Sequence, residues 1–293
     1  MQFVELTSFG CGPDALLTDE VRDLLGRHGK SLTLLKIDDV SNTGSLKLRI
    51  RSLIESLKLG HASQAAPRPF VTTPDFGERD RKRKILVPFF TPFISPLIPA
   101  LLKRAGYEAE NLPMSTQASV ESGLRYANNE ICYPATLIVG DIVNALQSGR
   151  HDPTETAVAI TQTGGQCRAS NYIYLLRKAL KKAGLEQVPV ISVNMSGLES
   201  ASGFKLTVPL VRQIIASLVY GDCIMCVSNQ TRPYEFKKGT TDALIEKWND
   251  ALIEQFNRGQ GLSNKDMRKN LAAIVDDFDA IERSREKKTR VGV

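Results

Sequence analysis

No stretch of this sequence approaches the roughly 18 uninterrupted apolar residues that a membrane-spanning helix needs, so the chain is not expected to cross a bilayer. Its first residues lack a basic region followed by an apolar core, which argues against a secretory signal and makes a cytoplasmic location the expectation. Cysteine is scarce, at 5 in 293 residues. An odd number of widely separated thiols is not a secreted disulfide framework, and reduced thiols are expected. Histidine is scarcer still, at 3. His28, His61 and His151 each stand alone in polar surroundings, which suits the surface better than a metal site or a general base. The phosphate-binding GxxxxGK loop, the dinucleotide GxGxxG and the zinc-protease HExxH are all missing, so nucleotide hydrolysis is not expected from these residues.

Aromatic residues make up only 6% of the chain, and none interleaves with its basic runs. Those runs, residues 79–84 and 283–290, carry much of the net charge of +6 and the pI near 9.0. Nucleic-acid platforms alternate cations with stacking rings. The runs therefore read as a solvated linker and tail, with nucleic acid a minor alternative.

What is present is the composition of a globular protein, 42% hydrophobic and 24% charged, long enough for one large or two ordinary domains. Strand and helix signals alternate. Strands are expected at 3–9 and 32–37, with helices at 18–27, capped by Thr18, and 45–57. These compose a small βαβα lobe over residues 1–59. Residues 60–83 lose periodicity and carry Pro67, Pro69, Pro74 and Gly77, as a linker does. A second α/β lobe is expected over 84–205, with strands at 85–90, 107–111, 156–161 and 188–193. Its helices fall at 120–126, 134–146 and 171–183, with one reaching 103 after an irregular, proline-rich start. Residues 206–293 read as helical, at 208–226, 241–256 and 264–287. The fold class is α/β, with parallel-sheet βα lobes of the flavodoxin or Rossmann kind followed by a helical carboxyl-terminal region.

Three cysteines sit where an expected strand runs into an expected helix: Cys11 in SFGCGPDA, Cys132 in NNEICYPA and Cys167 in TQTGGQCRAS. Ligands of α/β proteins gather at the carboxyl ends of parallel strands, facing helix amino termini. Soft thiolates placed there suit an iron-sulfur cluster or zinc. Pro134 fits the first turn of the helix after Cys132, whose open N–H groups stabilise an anion. Gly164 and Gly165 permit close backbone approach near Cys167, as Gly10 and Gly12 do around Cys11. Arg168 offsets negative charge, and Gln162, Gln166, Ser170 and Asn171 are able to donate hydrogen bonds to sulfide. The competing reading is that each thiol packs as a small hydrophobe. Cys223 and Cys226 form a CxxC, but near the end of an apolar helical run rather than at a helix start, so packing is expected of them.

The strings NNEICYP at 128–134, GGQCRASN at 164–171, SFGCGPD at 8–14 and PFFTPF at 88–93 together resemble the 2-hydroxyacyl-CoA dehydratase family and the related CoA-substrate-specific activases. The resemblance covers most of residues 1–235. It implies an oxygen-sensitive 4Fe-4S or double-cubane 8Fe-9S cluster held by three cysteines, here Cys11, Cys132 and Cys167, with Asn129, Gln166 and Arg168 around it. It also implies an ATP-binding activase domain or protein that drives an electron onto the cluster, an acyl-CoA as possible acceptor, and a dimer or a larger fusion. The Cys11 lobe looks like the carboxyl part of a family unit yet precedes what looks like the amino part. Two readings from other classes stand beside this one: an interaction module with a degenerate cluster site, and a zinc-stabilised α/β binding module.

Overall fold

The computed structural model describes residues 2–7, 14–37, 43–59, 73–128, 131–162, 172–194, 202–286 and 288–289. Among them the order is β1 (Phe3–Thr7), α1 (Asp14–Arg27), β2 (Leu32–Lys36), α2 (Thr43–Lys58), β3 (Lys84–Val87), α3 (Ile98–Arg104), β4 (Ala109–Asn111), α4 (Gln117–Tyr126) and α5 (Tyr133–Gln147). There follow β5 (Thr156–Thr161), α6 (Tyr172–Lys182), β6 (Val190–Val193), α7 (Val208–Thr231), α8 (Thr240–Asn257) and α9 (Asn264–Asp279). The class is α/β with parallel strands, as the alternating pattern implies. Two compact units are built from these elements, one from Met1–Phe76 with Met114–Ala201, the other from Gly77–Pro113 with Ser202–Val293.

In the first unit β1 pairs with β2 in parallel, from Phe3 opposite Leu32 to Thr7 opposite Lys36, with α1 as the crossover such pairing requires. Leu25 of α1 and Leu34 and Leu35 of β2 are buried. The expected helix start at Thr18 is corrected, because α1 begins at Asp14 and Thr18 lies within it, buried. The Thr18 hydroxyl donates to Glu5 Oε1 at 2.8 Å, so it serves a contact with β1 instead of a cap. On α6, Lys178 Nζ lies 2.9 Å from Asp19 Oδ2 and 3.0 Å from Asp23 Oδ2, which ties α1 to α6. His151, expected at the surface, is 9% exposed in the turn between α5 and β5.

The second parallel pair of this unit, β5 with β6, runs from Val158 opposite Val190 to Thr161 opposite Val193, with α6 between the strands in sequence. Ala157 to Ile160 and Val190 to Ile191 are buried, which explains why these strands read as continuous apolar runs. Val139 and Val143 of α5 pack with Ala179 of α6. Helices α4 and α5 approach through glycine. A β-carbon on Gly140 would lie 1.8 Å from the Ser119 carbonyl oxygen, and one on Gly123 would lie 2.0 Å from that of Thr136. Only a missing side chain permits that separation.

The second unit joins the parallel pair β3 and β4, Ile85 opposite Ala109 to Val87 opposite Asn111, with α3 and the carboxyl-terminal helices. The prolines after β3 delay α3 until Ile98, behind a 3-10 turn at Ser95–Leu97. Ser95 Oγ accepts from the Phe90 and Thr91 amides at 2.8 and 3.1 Å, which holds the PFFTPF segment. Tyr220 of α7 is fully buried; its hydroxyl donates to the Gly261 carbonyl at 2.7 Å and accepts from Asn270 of α9 at 3.1 Å. In the basic run, Arg83 meets Asp80 at 2.7 Å, Arg81 meets Glu78 at 3.5 Å, and Lys84 lies between Glu108 and Glu110. Local carboxylates thus neutralise part of the charge of this run.

Two outcomes test this packing. Gly140→Ala forces the α4 and α5 backbones apart and is expected to lower stability by about 3 kcal/mol, read by thermal or urea unfolding. Burial pulls the pKa of the Lys178 ammonium down, but the hydrogen bonds it donates to Asp19 and Asp23 more than offset this, so its pKa is raised. The stability it contributes is complete below the ordinary lysine value of about 10.4 and is lost as pH climbs through the raised folded value. The Lys178→Met variant is therefore expected to show a weaker decline of stability over that alkaline window than the parent chain.

Candidate metal centre

Cys132 is the residue immediately before α5, in extended backbone with φ −66° and ψ 150°. Its carbonyl accepts from the Ala135 and Thr136 amides at 3.0 and 3.2 Å, which closes the first turn, and Pro134 presets the backbone there. The thiol does not cap the helix. Half-buried, its Sγ stands 3.0 Å from the hydroxyl of Tyr172, the first residue of α6. That tyrosine is 7% exposed. A buried phenol needs a hydrogen-bond partner, and the sulfur supplies one.

The carboxyl ends of β5 and β6 carry a chain of polar side chains in the same unit. Asn194 Nδ2 donates to Ser192 Oγ at 2.8 Å, and the Ser192 hydroxyl donates to Gln162 Oε1 at 2.5 Å. Gln162 and Ser192 are both buried. The Gln162 amide N–H also bonds the Val193 carbonyl at 3.0 Å, extending the ladder one residue past β5. The Gln162 carbonyl oxygen is the end of its side chain that accepts from Ser192. Strand carboxyl ends and helix starts are the places where α/β proteins gather ligands, and the polar chain and the thiol each lie at one of them.

Of the residues expected at the centre, Cys132 is the one whose surroundings are described. Cys11, Cys167, Asn129, Gln166 and Arg168 lie outside the described residues. The segment with Cys167, residues 163–171, joins Gln162 to Tyr172, and Tyr172 is bonded to Cys132. Among the described residues no group of three or more His, Cys, Asp or Glu side chains converges. Sequence reasoning missed Tyr172, Ser192 and Asn194. A signal existed for each: Tyr172 begins the buried stripe that continues through Leu176 and Ala179, and Ser192 and Asn194 alternate onto one face of a strand end.

The CxxC sits inside α7, with Cys223 half-buried and Cys226 exposed. Burial, then the neighbouring Cys226 and Asp222, push the Cys223 thiol pKa up and keep it protonated. A protonated thiol is a poor ligand and nucleophile. Iodoacetamide at neutral pH is expected to label Cys226 well ahead of Cys223, as peptide mass spectrometry would report; equal rates would make Cys223 a reactive thiol.

Comparison with protein-family models, with curated proteins and with solved structures gives no significant match to this chain.

Proposed function

We propose that the chain binds an iron-sulfur cluster and transfers low-potential electrons, as a relative of 2-hydroxyacyl-CoA dehydratases and their ATP-dependent activators. The observation that carries this reading is the Cys132 thiol, unused as a cap at the start of α5 and held against Tyr172, the first residue of α6. The donor chemistry fits. A half-exposed thiol is soft enough for iron, and the nearby hydroxyl and amide groups are hydrogen-bond donors of the kind that tune sulfur ligands.

Cys132, Cys167 and Cys11 would be the ligands, with Asn129, Gln166 and Arg168 around them. A cluster held by three thiolates supplies one-electron chemistry and leaves one iron open to exchange. The chain's own part is positional. Helix α5 presents Cys132, and the Tyr172 hydroxyl would orient its sulfur. The uphill electron would come from an ATP-binding activase, and an acyl-CoA is the acceptor class that the resemblance suggests. Such a system belongs in a reducing cytoplasm.

Iron and acid-labile sulfide analysis of anaerobically prepared protein tests this. The expected result is a brown protein with broad visible absorbance that disappears in the variant carrying Cys11→Ser, Cys132→Ser and Cys167→Ser. Colourless protein with stoichiometric zinc would replace the cluster by a structural metal. Folded protein with no metal under strict anaerobiosis and reconstitution would leave an interaction module and overturn the proposal.

A further inference from the structure

Helix α2 is 16 residues long, and none of them is buried. Among the described elements it packs chiefly on β2, where the Arg49 guanidinium donates to the Leu34 carbonyl at 3.3 Å. Leu46 and Leu53 are its only partly covered residues, and helical geometry puts them within about 60° of Arg49, on the side toward β2. Beside them stand Ile50, Ile54 and Leu57, which share an arc of about 60° and are 42, 44 and 48% exposed. Lys47, Arg51 and Lys58 fill the adjoining arc of about 40°. Of these three cations only Lys58 has a carboxylate partner among the described residues, Glu55 at 2.8 Å.

The outward side of α2 is therefore an aliphatic stripe with a cationic stripe along its edge. We propose that α2 is a docking surface for an anionic phospholipid bilayer. The helix lies in the plane of the headgroups, with Ile50, Ile54 and Leu57 at the acyl boundary and Lys47, Arg51 and Lys58 on lipid phosphates. Buried apolar area and attraction to anionic lipid both contribute to binding of this kind. Leu48, also exposed, lies off this face and takes no part.

Other occupants leave part of the surface unused. A second copy of α2 would set cations against cations. A partner helix would take the full seam of Leu46, Ile50, Leu53 and Leu57, and half of that seam is turned toward β2. Nucleic acid would use the cations and leave the aliphatic stripe in water. Water itself favours polar residues where that stripe stands.

The test uses the full chain and does not depend on any cluster. Co-sedimentation is measured with vesicles of phosphatidylserine and phosphatidylcholine in equal parts, and with phosphatidylcholine alone. The parent is expected to bind the mixed vesicles and to leave the neutral ones largely free. Arg51→Gln is expected to weaken binding about fivefold, the effect of one cation near an anionic leaflet. Ile54→Glu is expected to weaken it about tenfold or more, since a charge replaces an inserted side chain. In Ile54→Trp the added fluorescence is expected to be quenched by brominated lipid, in contrast to that of Trp248, buried in α8. Both positions are exposed, and circular dichroism checks that each variant folds. A folded parent that leaves mixed vesicles unbound would overturn the proposal, all the more if it binds RNA or poly-glutamate. Binding unchanged by Ile54→Glu, or fluorescence of Ile54→Trp that brominated lipid does not quench, would overturn it as well.

Discussion

Backbone meets backbone where α4 crosses α5, because Gly123 and Gly140 put no β-carbon between the facing turns. The amino end of α5 is thereby fixed by contacts that no longer side chain would permit, and Cys132 is the residue at that end. Its direction then follows from packing on the other flank, where Val139 and Val143 meet Ala179 of α6 and Tyr172 reaches the sulfur. A site on rigid elements holds its geometry better than one on a loop. The thiol inherits that rigidity from two glycines more than from its own neighbours in sequence.

Electrostatics at the strand ends follows the same economy. Gln162 and Ser192 are buried polar groups and would be costly if left unpaired. They bond each other, and Asn194 completes the chain. The Lys178 bridge to Asp19 and Asp23 secures α1 on α6, so the helix that follows the Cys11 segment and the helix that follows the Cys167 segment are joined by a partly buried ion pair.

Helix α7 shows how one element serves two demands. Its inner face is specified by buried hydrogen bonds at Tyr220 and Asn270 and by Gly221, where a β-carbon would lie 2.5 Å from Ile94 Cγ1. Its outer face has apolar residues where solvent would favour charge. Cys223, half-buried with its thiol pKa pushed up chiefly by burial, lies at the boundary between the two.

The alternation of strand and helix was legible in the sequence because periodicity and β-branched runs report burial locally, and β5, β6, α5 and α6 lie within a residue or two of where those patterns put them. Pro134 announced the start of α5 for an equally local reason. Thr18 was misread as a cap and His151 as a surface residue, since both are decided by what the chain brings against them from elsewhere. Tyr172 beside Cys132, Ser192 beneath Gln162, and the glycines that let α4 touch α5 belong to the same class. The sequence by itself determined the elements and the thiols at their ends. Only the tertiary structure decided the partners of those thiols and which segments share a unit, because contacts between distant residues depend on volume and direction that no local pattern encodes.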